Sequence, residues 1–465
     1  MLIFLVASAL ARPTDGGSYA FDDTDSIASV DGPAGTARVW YSVAGTNETL
    51  LDDEDGDGVP DFAALVVVTT EDVLAFFVSA GFRAIPDDGT EGGSSAMDVY
   101  LVDFGGNADG HYSVERCQDD ACTGYFVMEN DFAGYGYPSL EAAVRVLTSH
   151  ELFHGVQGAY DFDEEAWYQE GTAVWAEELY DPGTEDFLRF CDAYLEDTGR
   201  SLDNPPSGPV PAFAYATALW WWFATERYGD AWMVDYLQAT SDSDDLLALL
   251  DARVDLTTDW VDFAVWNLAT GHYAGLVESY PFAAELDGPT FEDRGDSVDD
   301  DQRFYPLATS YYRYEHAGGE LSFALEADAP DVVFQLWSTD AEERVVELVA
   351  EPASVAGAVS LGELPEGLYL FFGTNPTLAE DSTHVRVCLG PDAADCAPAT
   401  DDTGDTGEPA DSGESGDGGA PGGCGCESGA PSGLGAVALA SVALRRRRPL
   451  KTSPPPPARP APGSA

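Results

Sequence analysis

The pattern of hydrophobic positions changes twice along the chain and divides it into three folded regions. In residues 38–138, short runs of alternating apolar and polar residues surround one helical stretch, which predicts a lobe of mixed strands and helix. In residues 139–288 the apolar positions recur with the helical period, which predicts a helical lobe. In residues 289–399, short apolar runs separated by turn residues predict a β-sandwich. The predicted fold class is therefore α+β.

Individual elements follow from the same periods. In the first region, strands are predicted at 38–44 and 97–104, with a helix at 63–81 between them. In the second region, Ser139 is the predicted N-cap of a helix that carries Glu141 in its first turn. The further helices predicted there cover residues 164–180, 185–197, 215–228, 231–239 and 260–270. The strands predicted for the sandwich cover residues 321–325, 332–337, 345–349, 368–372 and 384–388.

The beginning of the chain predicts a signal peptide. Residues 1–11 contain an apolar run from Leu2 to Leu10 and end in a small-x-small pattern before Arg12, as at a signal-peptide cleavage site. The basic residues that normally precede the apolar run are missing, so a buried N-terminal strand is the alternative. Residues 12–37 are expected to form an N-terminal segment ahead of the first lobe.

The C-terminal residues differ in composition from the folded regions. Residues 400–423 are rich in Asp, Gly, Ser and Glu with almost no apolar residue, which predicts a flexible acidic linker. Residues 424–448 combine a Cys-Gly-Cys motif, an apolar run and four consecutive arginines. This unit resembles the C-terminal surface-sorting tails of myxobacterial exported proteins. The resemblance implies transient membrane association, removal of the tail, and a protein that is secreted or held at the outer cell surface. A Pro-rich tail at 449–465 departs from that pattern.

The charge of the chain restricts its partners. The formal net charge is −64, and Lys451 is the only lysine. Nucleic-acid binding needs clustered cations, so a nucleic-acid partner is excluded. A strongly acidic surface instead keeps a secreted protein soluble, and we expect a monomer.

Cysteine spacing agrees with an oxidising compartment. Cys117 and Cys122 lie five residues apart in a predicted loop, and Cys388 and Cys396 flank a Gly-Pro-Asp turn. Each pair predicts a disulfide bond that closes a short loop. Cys191 lies in a helical pattern and is predicted to be a buried free thiol.

The strongest chemical signal is the run His-Glu-Leu-Phe-His at residues 150–154, in a chain with six histidines. Helix residues four apart lie on one face, so His150 and His154 can reach one metal ion. Glu151 borders that face and is the expected general base, which takes a proton from the attacking water. A catalytic zinc ion needs a third protein ligand and an open position. The run therefore predicts a zinc hydrolase, with a metal-free histidine pair as the alternative.

The spacing of residues along the chain identifies the third zinc ligand less directly than it identifies the two histidines. Tyr160 stands where a metzincin carries its third histidine, which excludes that branch. Glu170, in a helical run flanked by tryptophans, is the preferred candidate. The alternatives, which have the pattern of a solvated turn, are Asp161, Asp163, Glu164 and Glu165.

The residues around Glu170 resemble a known family. Residues 169–173 (Gln-Glu-Gly-Thr-Ala) are similar to the asparagine-glutamate-glycine-phenylalanine-alanine run of thermolysin-like and aminopeptidase-N-like gluzincins, which are zinc metalloproteases. The resemblance implies a two-lobed zincin-like core with Glu170 as the third zinc ligand. It also implies that Glu177 accepts a hydrogen bond behind the ligands, or anchors helix packing. By the same resemblance Tyr215, which would open a later helix, donates to the oxyanion; a packing role for Tyr215 is the alternative.

Residues 126–130 (Phe-Val-Met-Glu-Asn) partly match the aminopeptidase loop whose glutamate holds a free amino terminus. Phe126 and Val127 are larger than that loop allows. An exopeptidase is therefore not predicted, and an edge strand lying along the substrate is the preferred interpretation.

An acidic loop near the N-terminus predicts a structural calcium ion. Asp53, Asp55, Asp57 and Asp61 occupy positions 1, 3, 5 and 9 of a calcium loop, and Gly58 occupies position 6. The bidentate glutamate of a full EF-hand is missing. The loop resembles the shortened loops of thrombospondin type 3 and dockerin repeats, and a plain acidic turn is the alternative.

Together these features predict a secreted zinc metalloendopeptidase that hydrolyses protein or peptide substrates, with Zn²⁺ and Ca²⁺ as its metals. One alternative is a non-catalytic cell-surface binding protein with a structural zinc ion and a ligand-binding β-sandwich. The intact Glu151 argues against that alternative, because a structural site needs no carboxylate there. Hydrolysis of a non-peptide bond by the same residues is a third possibility.

Overall fold

The computed structural model describes residues 12–393, apart from residues 18, 119–120, 163, 207–210, 244, 294, 296 and 379–380. Within these residues the fold class is α+β, as predicted, with helices and three β-sheets. The predicted signal peptide, acidic linker, sorting segment and Pro-rich tail lie outside the described residues.

The first lobe is a five-stranded sheet with a long helix packed on one face. Its elements are β1 (Ile27–Asp31), β2 (Ala37–Ser42), α1 (Asp61–Ala80), β3 (Met97–Val102), β4 (Gly110–Gln118) and β5 (Ala121–Glu129). The strand order is β1-β2-β3-β5-β4. Strands β2, β3 and β5 are parallel, and β1 and β4 are antiparallel edge strands. The interpretation of residues 126–130 as an edge strand is therefore wrong, because β5 is paired on both sides and β4 lies at the edge.

The N-terminal segment packs as part of this lobe. Strand β1 lies within residues 12–37 and pairs with β2. Arg12 is 3% exposed and forms ion pairs with Asp88, Asp98 and Glu115. A buried guanidinium needs such partners, because an unpaired buried charge is costly.

Helix α1 passes a length and composition test for a membrane span, with half of its apolar window buried inside the protein. Phe62, Val66, Val73 and Phe77 recur at helical spacing on its buried face. The core helix of a soluble protein passes the same test, so this helix is weak evidence for a membrane span.

The second lobe is helical. Its helices are α2 (Leu140–Gly158), α3 (Ala166–Tyr180), α4 (Leu188–Leu195), α5 (Ala212–Ala216), α6 (Ala218–Tyr228), α7 (Asp230–Thr240), α8 (Leu246–Asp251) and α9 (Leu256–Leu268). The Ser139 hydroxyl accepts the backbone N–H of Ala142, which confirms the predicted N-cap of α2. The single helix predicted at 215–228 is instead divided at Thr217, whose hydroxyl donates to the backbone oxygen of Trp167.

Helix α2 joins the two lobes. Near its start, Val144 and Leu147 belong to the apolar core of the sheet. Further on, Leu152, Phe153 and Val156 belong to the core of the helical lobe. A helix that is apolar on most of its surface is buried on most of its surface, so α2 is held from both sides. The residues between Leu147 and Leu152 are thereby fixed at the junction of the lobes.

The third region consists of two β-sheets that pack against each other as a sandwich. Its strands are β6 (Phe291–Asp293), β7 (Val298–Phe304), β8 (Ala308–His316), β9 (Gly319–Leu325), β10 (Val333–Thr339), β11 (Val345–Ala350), β12 (Gly357–Leu364), β13 (Gly367–Asn375) and β14 (Thr383–Gly390). They form sheets in the orders β11-β10-β13-β8-β6 and β12-β9-β14-β7. Apolar residues of both sheets, Phe323 and Phe371 among them, share one core. Helix α9 packs on the first of these sheets, where the Tyr311 hydroxyl donates to the backbone oxygen of Ala264.

Two cysteine predictions are confirmed. Cys117 and Cys122 form a disulfide bond across the hairpin of β4 and β5. Cys191 is a buried free thiol. Cys396 lies outside the described residues, so its pairing with Cys388 stays a prediction.

Candidate metal centre

Helices α2 and α3 bring three potential metal ligands together. His150 and His154 lie one turn apart on α2, and Glu170 lies in the first part of α3. The distance to Glu170 Oε2 is 3.3 Å from His150 Nε2 and 3.7 Å from His154 Nε2. One donor atom from each residue lies within 4.8 Å of the other two. Of the acids weighed for the third position, Glu170 is the one that joins the histidines among the described residues; Asp163 lies outside them.

The Nδ1 atom of each imidazole, on the side of the ring away from Glu170, has a hydrogen-bond partner that orients the ring. His150 Nδ1 lies 2.7 Å from Glu177 Oε1, and His154 Nδ1 lies 2.9 Å from Gln157 Oε1. The amide nitrogen of Gln157 donates to the Thr172 hydroxyl, which turns its oxygen toward His154. With each Nδ1 engaged in this way, each Nε2 is directed toward the other donors and can bind a metal in exchange for its proton.

The residues fit a zinc ion. Glu170 Oε2 is buried and has no partner with hydrogen-bond geometry among the described residues. A buried polar atom without a partner is costly, and a cation among the three donors would satisfy it. Two imidazoles and one carboxylate are a donor set of catalytic zinc sites, which leave one position open.

Glycines permit the close approach of the helices that carry the site. A Cβ atom at Gly171 would lie 2.2 Å from the Thr217 hydroxyl oxygen and 2.8 Å from the Trp221 ring nitrogen. At Gly155 it would lie 2.6 Å from the Ile85 side chain. A side chain at either position, next to Glu170 or next to His154, would force these neighbours to shift, so glycine suits the close packing there.

The charges of the ligands depend strongly on one another. Burial would lower the pKa of His150, but its contacts with Glu170 and Glu177 outweigh burial and raise that pKa well above its ordinary value. Burial lowers the pKa of His154 to about 4. Burial would raise the pKa of Glu170, yet the neighbouring His150 and His154 lower it. Glu170 is accordingly ionised at neutral pH.

Glu151 lies beside the ligands and faces the edge strand. The residue is 7% exposed, and burial raises the pKa of its carboxyl group to about 8. Tyr112, on β4, lies next to this carboxyl group and offsets part of the rise in its pKa. The strand packs on α2 here, since a Cβ atom on Gly155, one turn after Glu151, would lie 2.9 Å from the Tyr112 ring. The edge of the first sheet and the candidate base therefore border the same cleft.

Tyr215 reaches the site from the helical lobe. Its ring stacks on the His150 ring at 5.6 Å between centroids and on the Phe190 ring at 4.9 Å. Its hydroxyl lies near the Glu170 carboxylate and helps to lower the pKa of that group. Tyr215 lies near the end of the short helix α5, whereas the resemblance placed it at the opening of a helix. It contacts the site and also packs, so both interpretations of this residue have a physical basis.

Several site residues were missed by sequence reasoning. Gln157 lies three residues after His154, and helical spacing could have identified it. Asp109 precedes β4, and its carboxylate accepts a hydrogen bond from the Tyr137 hydroxyl at 2.7 Å. Arg189 stacks on the Tyr137 ring at 5.2 Å from its centroid. These contacts join residues far apart in the chain, and no local pattern signals them.

Glu129 matches the glutamate with which aminopeptidases hold a free amino terminus. Its carboxylate already accepts hydrogen bonds from other groups of this protein. Its carboxylate accepts hydrogen bonds from the backbone N–H of Phe104 at 3.0 Å and from the Tyr135 hydroxyl at 2.8 Å. The backbone N–H of Asn130 donates to its other oxygen. These donors leave little capacity for a substrate ammonium group.

The acidic loop brings three of its four predicted calcium ligands together. Oxygen atoms of Asp53, Asp55 and Asp57 lie within 4.8 Å of one another in an exposed loop. Asp61 is not in this group; it begins α1 and accepts the backbone N–H of Glu54 at 3.1 Å. The other three carboxylates accept nearby backbone N–H groups, which shapes the loop without a cation. Calcium binding stays a prediction.

Comparisons with known proteins do not assign a family. No protein-family model matches the chain, and no curated protein matches it. Among solved structures, the chain matches Aeromonas hydrophila PliG, a periplasmic lysozyme inhibitor of g-type lysozyme, at 14% identity. The match covers 21% of this chain and 96% of that chain with a TM-score of 0.15. A score this low carries no argument about fold or function.

Proposed function

We propose that this protein is a secreted zinc metalloendopeptidase with a two-lobed zincin-like core. The observation that carries the proposal is the convergence of His150 Nε2, His154 Nε2 and Glu170 Oε2, with both Nδ1 atoms held from behind. Such support orients ligands toward a metal and raises their affinity for it.

The side chains at the site can each perform a different step of hydrolysis. A bound zinc ion supplies Lewis acidity, which polarises a carbonyl group and activates a water molecule. Glu151 takes a proton from the attacking water and delivers it to the leaving amine. Its burial next to Tyr112 of β4 supports a fixed position of the carboxyl group for both transfers. The Tyr215 hydroxyl is the candidate donor to the oxyanion that forms on the substrate.

An extended peptide is the substrate class that best suits the cleft. Strand β4 is an edge strand whose outer side is not paired in the sheet order. Such an edge accepts an extended chain through backbone hydrogen bonds. The link between β4 and Glu151 supports cleavage within that chain, and the occupied Glu129 carboxylate supports an endopeptidase over an aminopeptidase.

The extracellular location is also a proposal. The Cys117–Cys122 disulfide bond supports an oxidising compartment, where such bonds persist. Secretion or attachment to the outer cell surface accords with the predicted signal peptide and sorting tail. Calcium in the acidic loop and a monomeric state complete the proposal.

The proposal is tested by metal analysis and peptide cleavage with three proteins. The parent should bind one zinc ion, cleave casein and lose activity in a chelator. Glu151→Gln should keep zinc and lose at least about 100-fold in kcat, the lower range for a general base. Glu141→Gln, an exposed glutamate on the same helix, is the matched control and should behave as the parent. Parental activity in Glu151→Gln would contradict the mechanism, and bound zinc without cleavage of any peptide would favour the binding-protein alternative.

A further inference from the structure

Carboxylates outnumber cations around the candidate metal centre. Among the described residues, six charged groups that act on one another there, besides the histidines, are Glu151, Glu170, Glu177, Asp109, Asp186 and Arg189. Five of these six are acids.

Arg189 carries the one guanidinium of this group, and its direct contacts are with residues other than Asp109. Arg189 pairs with Asp186 at 2.9 Å. Its guanidinium carbon lies 4.6 Å from the Phe190 ring centroid and 5.2 Å from that of Tyr137. The Asp109 carboxylate accepts a hydrogen bond from the neutral Tyr137 hydroxyl at 2.7 Å. The Arg189 guanidinium donates to that same hydroxyl oxygen at 3.4 Å. Arg189 therefore reaches Asp109 through Tyr137, while its direct ion pair is with Asp186.

Asp109 is placed where an extended peptide would pass. It immediately precedes β4, the edge strand whose Tyr112 ring packs against α2 one turn after Glu151. The start of β4 lies against α2, since a Cβ atom on Gly110 would lie 2.7 Å from the Leu147 side chain. Leu147 is one helical turn before Glu151. A peptide aligned along β4 with its cleaved bond at Glu151 would pass Asp109 within a few residues.

We propose that the cleft selects peptides with a basic side chain close to the cleaved bond, and that Asp109 is the residue that contacts this positive charge. The proposal rests on the proposed function and deepens it by naming a substrate class. A carboxylate that holds a neutral donor can accept a cation at its remaining lone pairs. The net charge of −64 acts in the same direction, because it draws cationic substrates toward the protein at low ionic strength.

The test compares matched peptides. A peptide that the protein cleaves is resynthesised with Arg, Gln or Glu at each of the two positions on either side of the cleaved bond. At low salt the parent should cleave one Arg peptide with a kcat/KM about tenfold above its Gln counterpart, which corresponds to about 1.4 kcal/mol. Asp109→Asn keeps an acceptor for Tyr137 and should reduce this Arg-to-Gln ratio to about two. Asp109→Arg should invert the preference in favour of the Glu peptide.

The controls separate local contact from overall charge. Glu347→Gln removes one exposed negative charge from the distant sandwich and should keep the parental ratio. Raising the salt concentration should lower the ratio in the parent more than in Asp109→Asn, because screening acts on the charge contact. Zinc content and unfolding temperature are measured for every variant to establish that it is folded.

The outcomes distinguish the inference from the function on which it rests. Equal cleavage of Arg and Gln peptides by the parent, or an unchanged ratio in folded Asp109→Asn, would overturn the role of Asp109 and leave the peptidase proposal standing. A parent that cleaves no peptide would overturn both.

Discussion

The hydrogen bond between His150 and Glu177 offers the sharpest perturbation of the metal centre. Glu177 is 5% exposed, and its Oε1 lies 2.7 Å from His150 Nδ1. Glu177→Leu preserves approximate side-chain volume but removes the acceptor, so a buried N–H loses its partner. Such a loss costs about 1–3 kcal/mol. Loss of a partner behind a metal ligand lowers metal affinity by about 10- to 100-fold. A 10- to 100-fold loss of metal affinity corresponds to about 1.4–2.7 kcal/mol, which agrees with the cost of leaving the N–H without a partner.

The assay is a competition titration of zinc against a chelating dye at pH 7.5. We expect Glu177→Leu to weaken zinc binding by about 10- to 100-fold, with a smaller loss in Glu177→Gln, whose amide oxygen still accepts from Nδ1. Glu178→Gln changes the next residue of α3, which has no hydrogen bond to either histidine, and should bind zinc as the parent does. If the folded Glu177→Leu variant bound zinc as tightly as the parent, the claim that Glu177 orients His150 for metal binding would be refuted.

Tyr215→Phe should retain zinc and lose about 100-fold in kcat, measured on a peptide that the parent cleaves, because the oxyanion loses a donor. Asp55→Asn should abolish any increase in unfolding temperature that calcium gives the parent, measured by thermal unfolding with and without calcium. Reduction of the Cys117–Cys122 bond should lower the free energy of unfolding by about 2 kcal/mol, the loop-closure value for so short a loop, measured by urea unfolding. Arg12→Gln should lower it by at least about 3 kcal/mol in the same assay, because three carboxylates lose their buried cation.

Each of these predictions has a contrary result. Unchanged kcat in Tyr215→Phe would leave packing as the role of that ring. Calcium stabilisation that persists in Asp55→Asn would move the ion to another site, and its absence in the parent would favour a plain acidic turn. Unfolding free energies within about 0.5 kcal/mol of the parent, the range of ordinary surface changes, would contradict the disulfide and Arg12 arguments.

The parts of the site that sequence could predict are those encoded locally. Helical spacing alone places His150 and His154 on one face, and Ser139 marks where that helix begins. The approach of Glu170 required a resemblance as well as a spacing, because the connection between α2 and α3 determines whether α3 returns to the histidines. The structure brings Glu170 to both of them.

The remaining features depend on tertiary contacts. The break at Thr217 is stabilised by a hydrogen bond to Trp167, fifty residues away, so helical periodicity predicted one helix where two occur. Strand β7 has the sequence Val-Asp-Asp-Asp-Gln-Arg-Phe, whose run of polar residues conceals its strand pattern. Asp109 meets Tyr137 only because β4 pairs outside β5, an order that no single-strand pattern contains.

The central claim is that His150, His154 and Glu170 hold a catalytic zinc ion, and anomalous X-ray diffraction from zinc-loaded crystals tests it most directly. The account predicts one strong anomalous peak at this site, about 2.0–2.2 Å from both Nε2 atoms and from a Glu170 carboxylate oxygen. A peak bound by other residues, or no peak at these three side chains in crystals that contain zinc, would contradict it.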